Sequence, residues 1–259
     1  MLLEQFDPDK NAIINPDSFL EEIPGFPETV ISIFSWNLFH QLLDKLHGVE
    51  IASTHDVDGV WPVYEIMYKG RKYGFYKARI SAPLCVGTFE ELIQFGARRI
   101  ILVGNCGVLE HTISDCGIII PTKAIRDEGI SYHYKEASDF IDVNKKYIPE
   151  FKELLSRCGY SYVEGTTWTT DAFYRETKKK MENRKKMGAI CVEMECSAMQ
   201  ALADFREIEF FQFLYAGDNL AGDSWDPRSL SGSKRLSDKE KIGLLAFELT
   251  VKIDEKNRN

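Results

Sequence analysis

A chain of 259 residues, 44% hydrophobic and 28% charged, can bury a substantial core without disulfide or metal staples. Its formal charge of -8 argues against nucleic acid and anionic membrane as partners, because both demand a basic face. The six cysteines (85, 106, 116, 158, 191, 196) form no C-x-x-C pair, no run of about 18 apolar residues could span a bilayer, and "MLLEQFDPDK" is too acidic for a signal peptide, so a soluble cytoplasmic protein with reduced thiols and no metal is expected.

Residues 1–28, rich in Pro and Asp, read as an irregular leader laid over the domain. "TVISIF" (29–34) then predicts a buried strand, and "WNLFHQLLDKLHG" a helix ending at Gly48. "VWPVYEIMYKGRKYGFYKARI" predicts two strands about a Lys-Gly-Arg turn at 69–71. Pro83 opens a helix running to about Phe95, since proline suits a first turn, where its missing N–H is not needed. "RRIILVGNCG" and "CGIIIPTKAI" are further strands, and "NKKYIPEFKELLSRCG" is a helix interrupted early by Pro149. "AICVEME" passes from strand to helix, "FFQFLYAGD" is a strand, and "SDKEKIGLLAFELTVKI" is a last helix capped by Ser237 or Asp238.

Strands alternating with helices, several of them apolar on both faces, predict one three-layer α/β/α domain over residues 29–259. Its central twisted sheet is expected to be mixed and largely parallel. Ligands of such sheets gather beyond the carboxyl ends of the strands. Three polar groups fall there: Gly104-Asn105-Cys106-Gly107, Glu193-Met194-Glu195 and Gly217-Asp218-Asn219.

Glu193 and Glu195, two residues apart in an extended segment, would share a face, and a carboxylate can accept from both hydroxyls of a vicinal diol such as ribose. The same pair would equally suit the positive end of a helix. Asp218 ends the apolar run "FFQFLYAG", where a raised pKa would make it a general acid; a turn-capping role in "GDNLAGD" explains it as well. Gly104 and Asn105 open a loop whose amides could approach an anion, or simply a tight turn. Phe173 and Tyr174 could stack on a base or belong to a core.

The ordered set "GNCGVL", "IIPTKAIRDEGISYHY", "WTTDAFYRET", "VEMECSAM" and "YAGDNL" resembles the nucleoside phosphorylase family, which includes uridine phosphorylases, hexameric purine nucleoside phosphorylases and related nucleosidases. The resemblance runs over roughly residues 29 to 254, and "VEMECSA" matches the family's V-E-M-E-x-x-A segment. It implies a small nucleoside as ligand, no metal or organic cofactor, phosphate as co-substrate, and a homo-oligomer. It also implies that Met194 and Glu195 hold the ribose with Glu193 assisting, that Phe173 lines the base pocket, and that Asp218 protonates a purine-type leaving base at N7.

The resemblance has gaps. The family's first-strand Gly-Asp-Pro loop appears as "FSWN" (34–37), its second phosphate-binding arginine as Leu102, and the Ser/Thr after the loop glycine as Asn105. Losing two guanidiniums removes the main compensation for a buried phosphate dianion. Arg79 is the first candidate to replace them, followed by Arg126 and Arg175; without one, water becomes the nucleophile, as in the nucleosidases, although "FSWN" lacks the glutamate those enzymes use. Thr177 and Lys179 replace the glutamine–arginine pair that reads uracil, which favours a purine. The expected reaction is therefore cleavage of an N-glycosidic bond, phosphorolytic by resemblance, with hydrolysis and nucleoside binding without turnover as alternatives.

Overall fold

From its first strand the chain runs β1 (Thr29–Ile33), α1 (Trp36–Leu46), β2 (Val49–Asp56), β3 (Gly59–Tyr68), β4 (Arg71–Lys77), α2 (Ala82–Phe95), β5 (Arg99–Val108) and β6 (Ile118–Asp127). It continues α3 (Ser131–Tyr134), β7 (Phe140–Asp142), α4 (Ile148–Cys158), β8 (Tyr162–Thr170), α5 (Lys178–Lys186), β9 (Ala189–Glu193), α6 (Cys196–Arg206), β10 (Glu209–Asn219) and α7 (Leu236–Lys256). These bounds come from a computed structural model describing residues 2–257. Within it no helix is long and apolar enough to cross a membrane.

Alternation along the central strands builds the layers. Ile31, Ile33, Ile101, Val103, Phe211 and Phe213 pack on one face with Leu38 and Leu42 of α1, Phe151 of α4 and Phe247 of α7. Val30, Ile100, Leu102 and Phe210 pack on the other with Phe89 and Leu92 of α2 and Met199 and Leu202 of α6. A strand covered on both faces is apolar at most positions, as these are through their middle, with Ser32 and Gln212 as buried polar exceptions. The sheet is mixed: β1 is parallel to β4 and β5, β5 to β10, and β8 to β6 and β9, while β2–β3–β4 extend one edge antiparallel.

Half of this sheet closes on itself, which periodicity alone does not reveal. β5 lies beside β1 over residues 99–103, then beside β9 at Gly107 and Val108, and keeps β10 on its other edge throughout. β10 in turn meets β6 at only Leu214 and Tyr215. Asn144 bridges the Gln212 end of that seam like a short length of strand. Its Nδ2 donates to the carbonyls of Pro121 (2.8 Å) and Gln212 (2.7 Å), and its Oδ1 accepts from the Gln212 N–H (2.7 Å).

Several elements depart from expectation. β8 ("YVEGTTWTT") lacks an apolar alternation, and α5 ("KKKMENRKK") buries no residue, so neither carries the periodic signal. Pro149 does not interrupt α4 but sits in its first turn. α7 starts at Leu236 with Arg235 as its cap residue, in the left-handed region (φ 51°), rather than at Ser237 or Asp238; Asp238 lies inside the first turn and accepts from Arg235 (2.9 Å). In the leader, Phe26 is buried against Phe95 and the Ile23 N–H donates to the Phe95 carbonyl (3.1 Å), so this segment lies over the end of α2.

Replacing Asn144 by Ala should destabilise the fold by ~3 kcal/mol or more, since three buried backbone groups lose their partner. Asn144→Gly keeps the left-handed backbone (φ 53°) comfortable but also lacks the amide, and should lose nearly as much. Urea denaturation measures both; a glycine variant as stable as the parent would locate the effect in the backbone instead.

Candidate active site

A cleft of about 1110 Å³ opens over the carboxyl ends of β4, β1, β5, β9 and β10. Its floor is formed by Lys77, residues 34–37, 105–107 and 192–195, and Asp218, and it is flanked by Phe173, Tyr174 and Glu176 and by the loop carrying Trp225.

The two glutamates of "VEMEC" divide the roles that their spacing left open. Glu193 is buried, and its carboxylate is enclosed by protein donors. Oε1 accepts from Thr169 (2.6 Å) and Thr167 (3.2 Å) on β8, and Oε2 from the backbone N–H groups of Glu195 (2.8 Å) and Cys196 (2.6 Å) at the start of α6. It thus serves the helix end. Burial pushes its carboxyl up, against the pull of these four donors.

Glu195 is also buried but meets a single donor from outside its own segment, the Ser81 N–H at 2.6 Å. Burial, then the adjacent Glu193, pushes its carboxyl up to about 8, while Ser81, the Met194 N–H and Lys77 pull the other way. Ser81 points its N–H there from φ 84°, ψ 145°, a conformation that costs an L residue about 1–3 kcal/mol. Backbone strain at this turn therefore accompanies the orientation of Glu195.

Asp218 sits after a register shift between Ala216 and Asp218, an irregularity that re-aims side chains at strand ends. Its Oδ2 accepts from Trp225 Nε1 (2.7 Å). Burial raises its pKa, opposed by this bond and by Arg228. At Gly107, opposite it on β5, a Cβ would press on the end of the Leu220 side chain and lie 3.2 Å from Asp218 Oδ1 and 3.3 Å from Val192, so a larger residue there requires its neighbours to move. Glu176, which sequence reasoning missed, lines the same end. Burial, then repulsion from Asp218, lifts its carboxyl to about 7.

Met194, Asn105 and Phe173 line the cleft together with Glu193, Glu195 and Asp218. Gly104 does not; it is buried within β5, where a Cβ would lie 2.8 Å from Leu214. Arg79 also lies outside the lining. Its guanidinium pairs with Asp56 and with Asp58 (3.1 Å) and stacks 3.9 Å from the Trp61 ring centre. Arg126 is committed to Ser131, Ser138 and the carbonyls of Lys135 and Glu136. Neither arginine is free to take a ligand in the cleft. Among the described residues, no group of three or more His, Cys, Asp or Glu is arranged to hold a metal ion.

Fold and site together define a mixed α/β protein with a carboxyl-lined cleft at its strand ends. Residues 35–241 match the phosphorylase superfamily, and the chain belongs to that superfamily as a divergent member of its nucleoside phosphorylases. A DeoD-type purine nucleoside phosphorylase from Bacillus cytotoxicus is 26% identical over 160 residues, covering 59% of this chain and 66% of that protein. The DeoD-type 1 protein of Shewanella oneidensis is 26% identical over 219 residues, 81% of this chain and 91% of its own length. Among solved structures, purine nucleoside phosphorylase from Toxoplasma gondii in complex with immucillin-H shares the fold at TM-score 0.75 and 17% identity, covering 91% of this chain and 94% of that one. Uridine phosphorylase from Vibrio fischeri ES114 does so at 0.73 and 19%, covering 92% and 98%. Enzymes of this family need no cofactor, use phosphate as co-substrate and commonly form oligomers.

A carboxyl whose folded pKa is about 8, against an ordinary 4.5, holds its proton more tightly in the folded state. Its contribution to stability is fully present below about pH 4.5, declines as the pH rises towards 8 and is lost above that. Glu195→Gln should remove this part of the slope and leave the empty protein more stable at pH 8 by a few kcal/mol, at about 1.4 kcal/mol per unit. Urea denaturation between pH 5 and 9 tests this. Parallel slopes in the two proteins would mean that Glu195 is ionised throughout.

Proposed function

We propose that the protein cleaves the N-glycosidic bond of a nucleoside with phosphate as the nucleophile, releasing the base and ribose 1-phosphate. The observation that carries this reading is the presence of Glu195 and Asp218 in one cleft, each buried and each raised in pKa, on different strand ends. Glu195 and Met194 hold the ribose, the carboxylate accepting from the sugar hydroxyls. Departure of the base leaves positive charge on the sugar ring, which the same carboxylate stabilises. Asp218 gives its proton to the leaving base, and Glu176, sharing that end of the cleft, keeps a second proton close by at neutral pH.

A purine is the favoured base, because an acid beside the leaving group helps a purine at N7 and because Thr177 and Lys179 do not form a uracil-reading pair. Hydrolysis is the second reading, favoured by one observation: among the described residues no arginine lines the cleft. A homo-oligomer is proposed on family grounds, supported by the exposed Trp36, Ile80 and Trp225 at the cleft.

Assay of the sugar product separates the two nucleophiles. Ribose 1-phosphate that rises saturably with phosphate is expected, and free ribose formed equally well in phosphate-free buffer would replace the first reading with the second. Asp218→Asn should slow purine nucleosides about 10²–10⁴-fold while scarcely affecting nitrophenyl ribosides, whose leaving group needs no proton. Equal losses on both substrates would remove Asp218 from the chemistry.

A further inference from the structure

Two cations line the cleft among the described residues, Lys77 and Lys178. Lys178 is exposed at the start of α5, on the same segment as Phe173 and Glu176. Lys77 is half-buried at the last position of β4, in a cleft whose other charged groups, Lys178 apart, are carboxyls. Its Nζ donates to the neighbouring Ala78 carbonyl (2.8 Å), and it forms no ion pair within the described residues. Glu195 attracts it only through space. An ammonium removed from water without a bonded counter-charge is costly, and here burial, then the nearby Arg79, pushes it down to about 8. The protein leaves this cost unrelieved at a place that solvent and ligands can reach.

The surroundings suit an anion. β4 and β1 are parallel with Ile33 beside Lys77, so the lysine stands next to the turn that opens the 11-residue helix α1. Helix N-termini favour negative charge. Asn37 from that turn and Asn105 from β5 bring side-chain amide donors to the same cleft. Across the sheet, β4 is three strand spacings from β10, in the order β4–β1–β5–β10. At ~4.8 Å per spacing that is roughly 14 Å sideways, and because Lys77 is level with Phe213 through Ile33 and Val103, Asp218 also lies further along β10. The cationic corner and the acid that would protonate the base are thus at opposite ends of the cleft.

We propose that Lys77, with Asn37 and Asn105, forms a binding site for a phosphate group in this cleft. The group is either free inorganic phosphate or the phosphate ester of a nucleotide, since both present the same oxyanion to the lysine. The first source rests on the phosphorolytic reading above; the second does not. Lys77 would then do the work for which, among the described residues, no arginine lines the cleft, and the ligand would relieve its buried charge.

The test is binding of inorganic phosphate and of a nucleoside 5′-monophosphate, by calorimetry, to the parent protein, Lys77→Met and Lys77→Arg, with melting temperatures to confirm folding. The methionine variant should bind at least one of the two anions ~10–100-fold more weakly, as loss of a charge-assisted hydrogen bond requires, and the arginine variant should stay within a few-fold of the parent. Loss confined to inorganic phosphate identifies the free ion, and loss confined to the monophosphate identifies the ester. If the parent yields only free ribose while Lys77→Met still loses phosphate affinity, phosphorolysis fails and the site stands. A folded methionine variant that binds both anions like the parent, or a parent that binds neither, overturns the site. So does a loss that falls on the KM of an uncharged nucleoside alone, which would make Lys77 a partner of Glu195.

Discussion

The carboxylate of Glu193 is the point on which the site depends. A buried ionised group is tolerated only when donors surround it, and this one collects two threonine hydroxyls from β8 and two backbone N–H groups from the turn into α6. Those four bonds join a strand, its neighbour and a helix at one atom pair. They also fix the backbone of Glu195, whose own N–H is among the donors. Thr169 carries the constraint one step further, since its Oγ1 accepts from the Ser197 N–H (3.1 Å) while donating to Glu193. The second glutamate therefore presents its carboxyl from a rigid turn rather than from a loop.

Closure of half of the sheet brings the other acid to the same place. An open sheet ordered by β1, β5 and β10 would leave β9 remote from β10. Because β9 turns back onto Gly107 and Val108 of β5 while β10 holds the opposite edge, Val192 and Asp218 flank the same glycine. That convergence explains why space is tight at Gly107. It also makes Asn144 more than a local cap: the seam between β10 and β6 pairs at Leu214 and Tyr215, the backbone of Cys116 and Gly117 extends it to Ala216, and the asparagine amide bridges it at Gln212.

What could be read from the chain alone follows from these constraints. β1, β5 and β10 were legible because strands covered on both faces are apolar at most positions. That Glu195 and Asp218 lie at strand ends was legible from the apolar runs before them, but the runs alone left a helix-end or turn-capping role equally open. The carboxyl that ends β9, Glu193, takes the helix-end role. The division of labour between Glu193 and Glu195 was not legible, since it is set by Thr167 and Thr169, which lie in a strand with no apolar pattern. Arg79 drew attention as the arginine of "KARISAP", yet a guanidinium in a protein rich in acids finds carboxylates, and the hairpin of β2 and β3 supplies Asp56 and Asp58. Of these two neighbours it is Lys77, two residues earlier, that reaches the cleft, and only the end of β4 distinguishes the two. Glu176 and Trp225 lie in irregular segments whose position depends on closure of the cleft, for which local sequence holds no signal.

The protonation of the cleft fits the proposed chemistry better than a permanently charged one would. With Glu195 lifted to about 8 and Glu176 to about 7, much of the negative charge that the residue types suggest is absent at neutral pH in the empty site. A neutral nucleoside, and an anion approaching Lys77, then enter without meeting a wall of carboxylates. Hydrogen bonds from the sugar hydroxyls favour the ionised form, so Glu195 gives its proton to solvent as the nucleoside binds. The carboxylate then meets the positive charge that grows on the sugar as the glycosidic bond lengthens, by a Coulombic interaction that burial has made strong. The stabilisation is larger for the charged transition state than for the neutral substrate, which is the condition for accelerating bond cleavage rather than merely binding the nucleoside. Burial of a carboxyl next to another carboxyl, costly to the empty protein, is on this view what makes Glu195 responsive to the charge that the reaction creates.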